Sequence, residues 1–264
     1  LCDRRQRQMC IRDSVDTDIK VSVKATDTKA QYDNKAKQLL GHKIILAHIL
    51  VNTVAEFKSM NPADVVQYIE GEPHIGSVPV DAGATNIETQ EKVIGLNTEN
   101  SEINEGMIRF DIIFYVRMKD GLSQIIVNVE AQKAEPSSYD ILNRAIFYVS
   151  RMISSQKGRD FVKSNYNDIK RVYSIWICMN VDEHSMSHIH LTRDDIIGSH
   201  NWKGDIDLLN IVLLGLAEDL PEKAEEYELH RLLGALLSSK LKVDEKLDLS
   251  LIHISEPTRR SYIS

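Results

Sequence analysis

Cysteine is scarce: three in 264 residues, at positions 2, 10 and 178. That excludes a disulfide framework and fits a reducing cytoplasm. No secretory signal and no apolar run of membrane-spanning length occurs, so we expect a cytoplasmic protein with no membrane partner. Basic residues are the minority sign, 32 Lys and Arg against 39 Asp and Glu, for a net charge of −7. Phosphate contacts are made by Lys and Arg, so this balance counts mildly against nucleic-acid binding. It leaves room for a local basic groove on an acidic body. No internal repeat, Gly-rich phosphate loop, Ser-His-Asp order or dinucleotide-binding fingerprint appears.

The two ends do not read as native protein. Arg4 to Ser14, RRQRQMCIRDS, is what one frame of a transposon-based sequencing adaptor translates to. Ser250 to Arg259, SLIHISEPTR, is what the opposite strand of a partner adaptor gives. We therefore expect 1–14 and 250–264 to be adaptor-derived tails. The alternative at the N-terminal end is a true basic arm. Setting the tails aside removes six of the 32 basic and three of the 39 acidic residues, leaving 26 and 36, net −10. Cys2 and Cys10 go with them. Cys178 remains, inside the apolar run VYSIWICM, where a buried thiol is expected.

What the chain does have is a hairpin signature between Ile108 and Lys133, IRFDIIFYVRMKDGLSQIIVNVEAQK. Two runs of β-branched and aromatic residues flank Asp120-Gly121, a turn signal. Side chains alternate faces along a strand. Ile108, Phe110, Ile112, Phe114 and Val116 share one face of the first strand. Asp111 lies on the other, with Arg109, Ile113, Tyr115 and Arg117. On the second strand Asn128, Glu130 and Gln132 share a face opposite to Val127, Val129 and Ala131. A lone carboxylate on one strand can thus face Glu-x-Gln on the next.

Two carboxylates a few ångströms apart repel and call for a cation. Hard oxygen donors of this kind suit Mg²⁺. Such an ion activates water and stabilises charge on a phosphoryl oxygen, and Gln132 could orient the attacking water. On the other reading, Asp111 and Glu130 are solvent-facing strand charges paired with Arg109 or Lys133.

Asp111, the hairpin, and Glu130-Ala131-Gln132 resemble the core of the PD-(D/E)XK nuclease superfamily. More specifically, the order is similar to that of the Rpn-type recombination-promoting nucleases, a transposase family. The resemblance extends over most of residues 30 to 200. It includes the helix from Leu40 to Lys58, Asn61-Pro62, IEGEP from Ile69, GLNTE from Gly95, Glu105-Gly106, YSIWICMN from Tyr173 and DIIG from Asp195. It implies a DNA endonuclease that hydrolyses phosphodiester bonds in recombination, with Asp111 and Glu130 as Mg²⁺ ligands and Gln132 as the third catalytic residue. One departure stands out. The superfamily's Lys is Gln132 here, and a neutral amide cannot stabilise an anionic transition state as Lys can.

Taken in order, 15–31 reads as a polar lead-in. Tyr32 to Ser59 reads as one long helix with a broad apolar face. The resemblance makes Glu56 a candidate third ligand; as a residue it reads better as an ordinary surface Glu. Asn61-Pro62 signals an N-cap and first-turn proline, opening a short helix through Tyr68. Gly71 to Asn104 reads as a long loop that could border the substrate groove. Glu105 within the following stretch is a weak ligand candidate or a solvated charge. A helix is expected from Tyr139 to Gln156, capped by Ser137 or Ser138. It brings Arg144, Tyr148 and Arg151 near one face. Arg144 could touch DNA phosphate, pair with a site carboxylate, or only anchor the helix to Glu130.

Val172 to Met179 reads as a central buried strand. His184, His188 and His190 invite a zinc reading, but no partner ligands follow at zinc-site spacing, and a polar loop entering an edge strand fits better. Asp205 to Ala217 and Pro221 to Leu237 read as an αα-hairpin, which could pack on the core or form a partner interface, as in a homodimer. The expected fold is α/β (α+β mixed sheet): a restriction-endonuclease-like core flanked by helices, with a C-terminal helical hairpin. The expected division is a nuclease-like domain over 15–200 and a helical extension over 201–249. Two rival functions stay open: a catalytically weak or inactive relative that binds nucleic acid or protein, and an RNA nuclease, which shares the chemistry.

Overall fold

The computed structural model describes residues 36–80, 108–117, 124–132, 139–158, 160–238, 241 and 245–246. The adaptor-like ends, the lead-in, Gly95 to Glu99, Glu105, the hairpin turn and Ser137-Ser138 lie outside these residues. Described elements run in the order α1 (Lys43–Thr53), α2 (Pro62–Val65), β1 (Ile69–Val80), β2 (Ile108–Arg117), β3 (Gln124–Gln132), α3 (Ile141–Ser154), β4 (Val172–Met179), β5 (Ser185–His190), β6 (Leu209–Leu216) and α4 (Glu228–Leu237). The six strands form one sheet in the order β1-β2-β3-β4-β6-β5. β3, β4 and β6 are mutually parallel along the ladder, and the other pairs are antiparallel. This is the mixed sheet expected from the sequence.

Both faces of the sheet are covered. Ile112, Phe114 and Val116 of β2, Tyr173, Ile175 and Ile177 of β4, and Val212, Leu214 and Leu216 of β6 join α1 and α4 in one core. The intervening residues Ile113, Tyr115, Trp176, Cys178 and Ile211 join α3 in a second. The period-2 alternation of each strand thus feeds two cores. Burying a side chain the size of Ile45 or Leu50 contributes about 1.5–3 kcal/mol.

The long helix expected from Tyr32 to Ser59 is interrupted. Residues 36–40 are helical, then Gly41 and His42 break the run before α1. A Cβ at Gly41 would collide with Ile75 Cδ1, so β1 packs directly on the break. Val54 then leaves the helix in an extended conformation. Helical periodicity cannot register a contact made from 34 residues away. Asn61 caps α2 as expected, accepting from the Ala63 N–H at 2.9 Å.

Two further expectations are corrected. Residues 71–80 are not loop but the greater part of β1, an edge strand whose register shifts between Glu70 and His74 and again between Ile75 and Val78. Pro73 and Pro79 are tolerated because edge strands and bulges can spare a ladder donor. Arg117 pairs with Glu70, and Lys43 Nζ with Glu72 at 3.0 Å, so the IEGEP stretch ties β1 to β2 and α1. Second, the helix expected over Asp205 to Ala217 is strand β6, lying between β4 and β5. A short continuous apolar run fits a buried strand as well as a buried helix, and parallel pairing with β4 decides it. The C-terminal helical hairpin therefore reduces to α4, which starts at Glu228 after a 3-10 turn (Glu225–Tyr227) rather than at Pro221.

Candidate functional site

β2 and β3 pair from Arg117↔Gln124 to Ile112↔Val129. One rung further, still within both strands, stand Asp111 and Glu130. Opposite Asp111, β1 spends two residues, Gly76 and Ser77, between Ile75↔Ile112 and Val78↔Phe110. This two-against-one count is a β-bulge, an irregularity over-represented next to active sites. On its other side β3 runs parallel to β4, with Glu130↔Trp176 and Gln132↔Cys178 on successive rungs of one face. The antiparallel pairing of β2 with β3 expected of the hairpin is thus present in the backbone.

By alternation this face also carries Ile113 and Tyr115, which are buried beneath α3 with Trp176 and Cys178. The candidate rung therefore lies at one end of an apolar interface rather than on an open polar surface.

α3 brings a cation to this end. Its inner residues Ile141, Ala145, Val149 and Met152 are buried. Arg144 and Tyr148, one turn apart, sit at their margin. Arg144 Nη1 donates to the Tyr139 hydroxyl and Nη2 to the Tyr148 hydroxyl, both at 2.8 Å. The guanidinium carbon lies 4.7 Å from the Tyr148 ring centroid, 5.2 Å from Trp176 and 5.5 Å from Tyr139. These are cation–π distances to three rings. Trp176 is fully buried, and its indole N–H donates to Ser174 Oγ at 2.9 Å. Sequence spacing found Arg144 and Tyr148; it missed Trp176 and Tyr139, which reach the cation across the fold.

Glu56 is not in this place. It pairs with Arg171, whose guanidinium also holds Asp205 at 3.1 Å and Asp207 at 3.6 Å. Burial opposes the Arg171 charge, but the Asp205 hydrogen bond and the Asp207 charge outweigh it and raise its pKa. Arg171 precedes β4, five residues before Trp176, so the cluster lies roughly 15 Å along the strand from the Glu130 rung. Glu56 serves to tie the α1 end to the sheet. Cys178 is a buried cysteine outside any disulfide, as expected.

The histidines sit on edge strand β5 and its approach. His188 stacks on His190 at 5.0 Å and bonds Asn210 Oδ1 at 2.7 Å. His184 Nδ1 accepts from the Ala217 N–H, which leaves Nε2 to donate to the Asp219 carbonyl at 2.7 Å. Behind β5, His230 of α4 is buried, with Nε2 3.0 Å from the Ser185 carbonyl. Burial, and then the nearby His184, push its pKa down from 6.5 against the pull of that hydrogen bond. Among the described residues no group of three or more His, Cys, Asp or Glu could hold a metal ion, and no helix is long and apolar enough to cross a membrane.

A mixed sheet with helices on both faces is consistent with a fold of the PD-(D/E)XK nuclease class. A family model described as a PD-(D/E)XK nuclease family transposase matches residues 87–236, more than half of the chain. The chain belongs to that family. No curated protein and no solved structure matches it. Membership carries an association with nuclease and transposase function, in a family of generally hydrolytic enzymes that typically use divalent cations.

Proposed function

We propose that this protein is a metal-dependent DNA endonuclease, acting in recombination or gene mobility. The reading is supported chiefly by the positions of Asp111 and Glu130, each one residue past the last paired rung, Ile112↔Val129, at the bulged end of the β2–β3 ladder. Carboxylate oxygens from two strands, with a Gln amide two residues on, are a hard donor set that fits Mg²⁺. Asp111 and Glu130 would hold the ion. When bound, it supplies Lewis acidity at the phosphoryl oxygen and lowers the pKa of water. Gln132, on the same strand face as Glu130, orients a water for in-line attack through its amide. α3 packs on this face over Ile113, Tyr115 and Trp176, and a low local dielectric of that kind strengthens charge interactions beside it.

A plasmid-nicking assay of the full chain, with and without Mg²⁺ and beside Glu130→Gln, tests the proposal. Mg²⁺-dependent nicking that disappears in the variant is expected. Folded protein that nicks no DNA with ample Mg²⁺ would sink the reading. The neutral Gln132, where the superfamily has Lys, specifically favours a second reading, a weak or inactive relative that only binds. Cleavage of an RNA substrate alone would instead identify an RNA nuclease.

A further inference from the structure

We infer that Arg144 is a substrate-binding residue that grips one backbone phosphate of the nucleic acid beside the Glu130 rung. The inference rests on the nuclease reading for its ligand, and on the aromatic cradle for its geometry. Trp176 shares a rung with Glu130, and the Arg144 guanidinium lies 5.2 Å from the Trp176 ring. The cation is therefore stationed over the strand position next to the candidate carboxylate.

It is also held still. Two hydroxyls and three ring faces fix its position, and Trp176 is itself locked by burial and by Ser174. An arginine ordered before binding loses little side-chain entropy on gripping a phosphate. Its planar fork matches two phosphate oxygens. Tyr139, 43 % exposed, is where the cradle meets solvent and a strand could approach. On a body of net charge −7, a preset guanidinium at the site does what overall charge does not. A cradle that only fastened α3 to β4 would show the same contacts, so the discriminating property is the ionic character of binding.

The experiment measures binding of the full chain to a labelled DNA duplex by fluorescence anisotropy across a series of NaCl concentrations. Ca²⁺ replaces Mg²⁺ so that binding is read apart from turnover. The variants are Arg144→Gln, Arg144→Lys and Tyr148→Phe, each checked for fold by circular dichroism. Loss of one phosphate contact lowers the slope of log K against log salt by about 0.9. We expect that loss in Arg144→Gln, with roughly tenfold or greater weakening from the lost charged hydrogen bonds. Arg144→Lys is expected to keep the slope while binding more weakly, and Tyr148→Phe to keep the slope. An unchanged slope in Arg144→Gln overturns the inference and leaves the arginine as a helix anchor, even if the wild type nicks DNA. A lowered slope in a protein that never nicks upholds the phosphate grip and overturns the nuclease reading instead. A wild-type chain that does not bind the duplex overturns the grip as well.

Discussion

Glu130 and Trp176 occupy one rung of the parallel ladder between β3 and β4. That rung joins the strand bearing the candidate carboxylate to the ring over which Arg144 is fixed. The proposed chemistry and the packing therefore meet at a single level of the sheet, and most expected effects of mutation can be sorted by distance from it.

Asp111→Asn and Glu130→Gln change charge with little change in shape. Each is expected to lower Mg²⁺-dependent nicking by at least about 100-fold, or roughly 3 kcal/mol. Melting temperature should hold within a few degrees. A variant that melts early but still cleaves would assign that residue to the α3 interface and not to the metal.

Arg171→Met leaves Glu56, Asp205 and Asp207 facing one another without their cation. Glu56 Oε2 is already buried with no hydrogen-bond partner among the described residues. The cluster is partly open to water, so we expect a loss of about 1–3 kcal/mol in urea unfolding. Glu56→Gln should cost less and leave nicking intact. Nicking that disappeared in folded Glu56→Gln would return this residue to the metal site.

His230 makes stability depend on pH. Its folded pKa lies below its ordinary value of 6.5, so the native state binds fewer protons than the unfolded chain. The contribution is complete above 6.5 and is lost as pH falls toward the folded pKa. His184 faces the ring at 5.7 Å, and Tyr227 closes its other side. Urea midpoints taken from pH 5 to 8 should rise with pH and then level, and His230→Gln should flatten the rise. A variant with the wild-type slope would move the dependence to another group.

Trp176→Ala removes the largest fully buried side chain. A loss of about 3–5 kcal/mol is expected. Trp176→Phe keeps a ring under Arg144 and should lose less. Equal losses from the two would mean that the indole hydrogen bond to Ser174, not volume, carries the site.

How much was legible in the sequence depended on the range of the deciding contact. The β2–β3 pairing, β4, the α2 cap and Cys178 are written in local alternation, capping residues and apolar runs, and they stand as expected. β1 is not: Gly71, Pro73 and Pro79 suit a loop, and only the ladder with β2 makes them strand. β6 was taken for a helix because a short apolar run has no periodicity to separate the two. Arg144 was visible by its spacing from Tyr148, but the third ring of its cradle comes from β4. Glu56 drew attention as an acid on a helix; its partner Arg171 is 115 residues away.

The sheet is closed out of sequence. β5 is made before β6, yet its described ladder is with β6, which is also the strand that flanks β4. During synthesis β5 leaves the ribosome with no neighbour to bond to, and β4 keeps one edge bare until residue 216 has emerged. A chain stopped near position 200 would hold every residue proposed for catalysis and still expose the open edge of its most apolar strand. Such a fragment is built to stick to its own kind.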